Sequence, residues 1–229
     1  MTKIKKVSII TTTYNDSHML EKCIRSVRDQ IRGSLVIDHI IWDDGSSDLS
    51  DFQKLQAVYP DVTYYFGVSN VGLAEARNRA VSKSDADAFI FLDSDDHISN
   101  NFVRDMVQAS KGCKSPVYPS VQCFGSWDVY MEKPEWSKDS AMRDLFIPAT
   151  SLVTREAFEA VNGFTAGLPL LEDFDMWYRM ADAGFTGKAC NSAILYYNIR
   201  KDSMSDHFNL KNRKELKEEV YRSIVTKNV

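Results

Sequence analysis

Apolar positions along the chain fall into two alternating spacings. Residues 7–10, 36–42, 62–66 and 88–92 are short, largely apolar runs of strand length, whereas Met19, Leu20, Cys23, Ile24 and Val27 fall on one helix face within residues 17–30. Residues 49–59 and 71–83 repeat the helical spacing. Strand and helix in turn at this pitch predict an α/β fold with a mostly parallel sheet. A further helix is expected over residues 101–110 and a strand over 117–124. Periodicity is then lost over residues 125–143, which predicts a loop or flap. Regularity returns at residues 147–153, followed by predicted helices at 155–161 and 173–183, a strand at 189–197 and a charged amphipathic helix at 210–225.

At 229 residues, 44% hydrophobic and 26% charged, the chain can bury one sizeable core, so one enzyme-sized domain is expected. Polar clusters at residues 11–16, 43–48 and 93–96 each follow a predicted strand. Open parallel sheets bind ligands outside their strand carboxyl ends, so the three clusters are expected to converge. A formal net charge of -4 and a pI near 5.6 provide no general basic field, which argues against a nucleic-acid partner. The apolar run at residues 7–10 is too short for a signal peptide or membrane span, so a cytoplasmic protein without a transmembrane segment is expected. Cys23, Cys113, Cys123 and Cys190 form no C-x-x-C pair, the pattern of free thiols rather than of a zinc site or disulfide scaffold.

Asp93, Asp95 and Asp96 gather where an apolar run surfaces, and a strand period of two would turn Asp93 and Asp95 to one side. Carboxylates that close need a counter-ion. Oxygen ligands suit Mn2+ or Mg2+, which complete their shells with substrate phosphates and water; the plainer reading is an acidic turn before a helix. Asp43 and Asp44, with Gly45 permitting a tight turn, either accept hydrogen bonds from a base or ribose or serve the cap of the next helix. Thr12, Tyr14 and Asn15 bring hydroxyl, ring and amide groups suited to a nucleobase. Asn70 and Gly72 open a helix whose unpaired N–H groups favour an anion, with Arg77 about two turns inside. No P-loop or G-x-G-x-x-G occurs, which counts against an NTPase or a dinucleotide-dependent dehydrogenase. Glu172, Asp173 and Asp175 crowd one helix start; they either complement its dipole or supply a general base, with Trp177 as an acceptor platform or as core.

T-x-Y-N from Thr12, D-D-G-S-S-D from Asp43, N-x-G-x-x-x-A-R-N from Asn70, D-x-D-D from Asp93 and E-D-x-D from Glu172 stand in that order. Together they resemble the family 2 inverting glycosyltransferases, over most of the chain, and Asn162-Gly163-Phe164 also fits. The resemblance implies a GT-A (Rossmann-like) fold: a mixed, mostly parallel sheet flanked by helices, in a single domain with a C-terminal helical tail. It implies metal-dependent transfer of a sugar from a nucleotide-sugar, usually a UDP-sugar, to an acceptor hydroxyl, such as one on a glycan. Thr12, Tyr14 and Asp44 would hold the nucleobase, Asp93 and Ser94 the ribose, and Asp95, with Asp93, the Mn2+ or Mg2+ ion. Asp173 would be the catalytic base, and Glu172 and Trp177 would face the acceptor. Residues 1–96 are then the nucleotide-binding half, 97–205 the acceptor-binding and catalytic half, and 206–229 a helical extension that packs on its own domain or on a second subunit.

One departure stands out. The family often continues Y-R-x-H-x-x-S-M-S, and the run from Tyr197 to Ser205 matches that frame with Arg200 in place of the His. A guanidinium stays protonated and is no metal ligand, so Arg200 is expected to bind the diphosphate, leaving the metal with fewer protein ligands, while His207 is either a substitute ligand or, as is more usual for a tail histidine, only solvated. Two other functions compete: a sugar nucleotidyltransferase, which lacks support because residues 11–16 contain neither Gly nor Lys, and a silent binding module that retained the donor cleft.

Overall fold

The computed structural model describes residues 3–111, 113, 115–143, 146–168 and 170–200. The first half builds parallel ladders: β1 (Lys6–Thr13) lies between β2 (Val36–Asp43) and β4 (Ala88–Phe91), and β3 (Thr63–Phe66) extends β2. The second half adds β5 (His97–Ile98), β6 (Val117–Gly125), β7 (Val129–Met131), β8 (Leu152–Thr154) and β9 (Lys188–Ile199). They join one sheet in the order β3-β2-β1-β4-β8-β6-β9-β5, with β7 on β6. The long β6–β9 ladder is parallel, while β8 enters antiparallel between β4 and β6. The sheet is mixed and mostly parallel and is flanked by helices, the arrangement expected of a GT-A fold.

Period-two alternation explains why both faces of the sheet are covered. Ile10, Phe89 and Phe91 point to one side, against α3 (Leu73–Val81), α6 (Arg155–Ala160) and α7 (Glu172–Asp182). Val7, Ile9, Ala88 and Ile90 point to the other, against α1 (Leu20–Arg28) and α4 (Phe102–Ala109). α2 (Ser50–Val58) seals the β2 end with Phe52 and Leu55 against Ile41. Parallel register sets Thr13 beside Asp43, and the Leu92 N–H donates to the Ile10 carbonyl, so the carboxyl ends of β1, β2 and β4 share one edge.

The residues expected to form a loop or flap contain β7 and α5 (Lys138–Arg143). β7 is exposed along its whole length at the margin of the sheet, so it carries no alternation to read. Two-residue β5 is too short for any periodicity. The helix expected at residues 210–225, its packing on a second subunit and the His207 ligand all lie outside the described residues. Among the described residues no helix is long and apolar enough to cross a membrane.

Candidate active site

The loop after β1 and the loop after β2 hold each other. Asn15 adopts φ 54 and its side-chain carbonyl accepts from the Ser47 N–H at 2.9 Å, while its own N–H donates to Ser46 Oγ at 2.7 Å. Asn15 therefore ties the two loops together. Asp43 accepts from the N–H groups of Gly45 and Ser46 at 3.2 and 2.9 Å, closing the turn. Gly45 has φ +80, and a Cβ there would lie 2.6 Å from the Ser69 carbonyl carbon. Only glycine lets residues 69–72 cross so close. Asp44 then receives the Val71 N–H at 3.1 Å and the Gly72 N–H at 2.9 Å, so the buried carboxylate fixes the entry to α3. Burial pushes the Asp44 carboxyl up, against the pull of those two N–H groups. Thr12 and Thr13 are buried beside this junction with no hydrogen-bond partner for either hydroxyl among the described residues, Tyr14 is half exposed and Asn70 is exposed.

Arg77 joins the two halves. Its side chain is 2% exposed, with Nη2 2.7 Å from Asp93 Oδ1 and Nη1 2.7 Å from Glu172 Oε1. Burial alone would lower its pKa, but the charges of Asp93 and Glu172 outweigh that and raise it. Asp173 follows Glu172 at the first turn of α7, and its Oδ1 accepts the Phe174 N–H at 2.7 Å. Loss of hydration, then the neighbouring Glu172 charge, push Asp173 from 3.8 to about 7. Leu171 before it is left-handed, φ 63, which turns the chain sharply into the helix. The next acid is held differently, since Asp175 is buried, bonded to Thr165 Oγ1 at 2.6 Å and paired with Arg179 at 2.6 Å.

Past β4, Asp93, Ser94, Asp95 and Asp96 run in a turn closed by the Asp96 N–H on the Asp93 carbonyl at 3.2 Å. Ser94 is buried, and burial followed by the Asp93 charge raises Asp95. Asp96 is buried, receives the Asn198 N–H at 2.8 Å and is pushed well up by burial and by the charges of Asp93 and Asp95. That bond brings the end of β9 alongside. Arg200 follows β9, with Nη2 2.8 Å from Asp16 Oδ2 and Nε 2.8 Å from Asp95 Oδ2.

The family model for glycosyl transferase family 2 matches residues 8–161, a stretch that carries the polar strand ends, Arg77 and Asp93 but stops short of Glu172 and Asp173. The chain belongs to that family. It is a glycosyltransferase. TuaG of Bacillus subtilis strain 168, a glycosyltransferase named for teichuronic acid biosynthesis, is 24% identical over 210 residues, covering 88% of this chain and 82% of TuaG. Chondroitin synthase of Pasteurella multocida strain Pm70 is 26% identical, but this chain spans only 21% of it. Among solved structures, S. aureus TarS 1-349 in complex with UDP-GlcNAc superposes with a TM-score of 0.73 at 16% identity, covering 94% of this chain and 65% of TarS 1-349.

Three expectations read from the residues change on this geometry. Trp177 is no acceptor platform: it is 2% exposed, packs in the core against the sheet and donates Nε1–H to the Ile147 carbonyl at 3.2 Å. Arg77 is no free anion binder, because its side chain is 2% exposed and both ends of its guanidinium are taken by carboxylates, whereas the Arg200 side chain is 34% exposed. Asp93 and Asp95 do not share one side, since β4 ends at Phe91 and the turn sends them to different arginines. Family 2 enzymes commonly use a divalent metal. Among the described residues no three His, Cys, Asp or Glu side chains are grouped to hold a metal ion, and Asp95 Oδ2 lies 2.8 Å from Arg200 Nε. With Asp95 already paired to a fixed guanidinium, the donor set does not fit a resident divalent ion.

Asp16 is the residue the family pattern missed. It sits in the polar cluster after β1, near His18 at 3.6 Å, and its pairing with Arg200, far along the chain, marks it out. The family's N-x-G-x-x-x-A-R-N motif also has a structural half: Asn78 accepts from the Phe164 N–H at 3.0 Å and donates to the Phe164 carbonyl at 2.9 Å. It thereby docks the Asn162-Gly163-Phe164 turn against α3.

Proposed function

We propose that this chain is an inverting glycosyltransferase that moves one sugar from a nucleoside-diphosphate donor, a UDP-sugar, to an acceptor hydroxyl on a glycan. The observation that carries the reading is the Glu172–Arg77–Asp93 ion-pair chain, which locks the start of α7 to the end of β4 at fixed distance. Asp173, next to Glu172, removes the proton from the acceptor hydroxyl as its oxygen attacks the anomeric carbon. The bond from that carbon to the diphosphate oxygen breaks on the opposite side, and a single displacement inverts the configuration. A carboxyl raised to about 7 suits a general base working near neutral pH.

On the donor side, the unpartnered Thr12 hydroxyl, the half-exposed Tyr14 ring and the loop anchored by Asp44 would receive the nucleobase, with Gly72 at the turn into α3. Asp93 and Ser94 stand where the ribose would follow. TarS is described with UDP-GlcNAc, and TuaG and chondroitin synthase are named for polymer synthesis, which supports a UDP-sugar and a glycan acceptor. A thermal-shift screen of UDP-, GDP- and dTDP-sugars tests the proposal. Binding to the folded state alone stabilises by about 2.7 kcal/mol at a hundredfold excess over Kd, so a UDP-sugar should raise Tm measurably. A folded protein that none of these donors stabilises would refute the reading.

A further inference from the structure

Arg200 is held at the junction of three segments. Its guanidinium meets Asp16, after β1, through Nη2 at 2.8 Å and Nη1 at 3.3 Å, and approaches Asp95, after β4, through Nε at 2.8 Å. The backbone that carries it is equally constrained. Asp96 receives the Asn198 N–H, the Ser126 N–H donates to the Ile199 carbonyl at 3.0 Å, and a Cβ on Gly125 would lie 2.7 Å from that carbonyl oxygen. A permanently protonated cation therefore stands against the acidic turn after β4, where a divalent ion was expected. An ion arriving at Asp95 would meet that like charge directly. A guanidinium carries five N–H donors. One N–H on each terminal nitrogen donates to Asp16, while Nε lies 2.8 Å from Asp95 Oδ2 without a hydrogen bond among the described residues. The Nη1/Nη2 edge is taken by Asp16, and the N–H left on each terminal nitrogen can donate singly to a phosphate oxygen.

We propose that Arg200, rather than a divalent ion, is the cation that neutralises the donor's diphosphate, so that donor binding and transfer proceed without metal. This inference rests on the reading of the cleft as a nucleotide-sugar site. In the transfer step, the electron pair of the broken bond stays on the departing diphosphate oxygen beside the guanidinium. The acceptor oxygen takes the sugar, and the acceptor proton goes to Asp173. Atoms and charge balance without a further reactant. Arg200 stands in the position expected of the metal, because Asp16 and Asp95 hold it where the strand ends meet.

Calorimetric titration of UDP into the full chain, in EDTA and again in Mn2+, separates the possibilities. Wild-type affinity in EDTA should lie within about threefold of that in Mn2+. Arg200→Ala should lose about 10- to 100-fold in EDTA, the loss typical of a charge-assisted hydrogen-bond partner. Arg200→Lys keeps the charge without the fork and should lose less; it also serves if Arg200→Ala fails to fold. Arg200→His, which offers an imidazole ligand, should bind UDP more tightly in Mn2+ than in EDTA. Wild-type binding of UDP that requires Mn2+, or undiminished binding by folded Arg200→Ala in EDTA, would overturn this inference while leaving the glycosyltransferase reading standing. No binding of UDP, GDP or dTDP in either medium would overturn the donor-site reading and this inference with it.

Discussion

Replacing Asp173 by Asn keeps the size and the Oδ1 acceptor for the Phe174 N–H but removes the base. Loss of a general base costs about 10²- to 10⁴-fold in rate, so kcat should fall by that factor while UDP-sugar affinity stays close to wild type. Stability gives an independent reading of the same residue. Asp173 titrates near 7 in the folded chain against 3.8 as its ordinary value. Between those pH values the folded state holds a proton that the unfolded state has released, so wild-type stability falls as pH rises from about 4 to about 7 and levels off above. At about 1.4 kcal/mol per pH unit, the shift sets an upper bound of about 4 kcal/mol. Glu172, Arg77 and Asp93 contribute to that titration through their charges, and Arg77 opposes the two acids. Asp173→Asn removes the titration and should therefore melt higher than wild type at pH 8, with the difference vanishing near pH 4. Wild-type kcat/KM should rise with pH to a plateau above about 7. Were Asp173 only a partner of the helix dipole, the substitution would lower stability by about 0.3–1 kcal/mol and leave the rate intact. An active, destabilised Asp173→Asn enzyme at pH 8 would refute the argument; turnover and melting measured on one sample decide it.

Other perturbations follow from single contacts. Arg77→Met strands Glu172, 12% exposed, and Asp93, 37% exposed and screened by solvent, so unfolding in urea should show a loss below the about 3–5 kcal/mol of a fully buried broken pair. Trp177→Phe gives up the bond to the Ile147 carbonyl, about 1 kcal/mol, and should leave the acceptor KM unchanged; a KM raised tenfold in a stable variant would restore the platform. Gly45→Ala places a Cβ against the backbone of Ser69 at a left-handed φ, which costs at least about 1–2 kcal/mol. Its UDP affinity should fall as well, whereas wild-type affinity and Tm would show that the two loops do not depend on that crossing.

Alternation of spacing along the first hundred residues was enough to determine the parallel core, because strand and helix periods are local properties of the chain. The order of the five motifs determined the family and the edge of the sheet where chemistry gathers. Gly45 was legible as a tight turn, although its contact with Ser69 was not. What lay beyond reach depended on how distant segments pass each other. Trp177 lies on a helical stripe that reads equally as core or as platform, and only the packing of α7 on the sheet put it inside. Asp93 and Asp95 share a side if the strand continues, but β4 stops and the turn separates them. Arg200 reads only as a departure from the family pattern until β9 delivers it to Asp16, 184 positions earlier in the chain. An ion pair at that separation has no periodicity to announce it, because it exists only where the paths of β1, β4 and β9 meet.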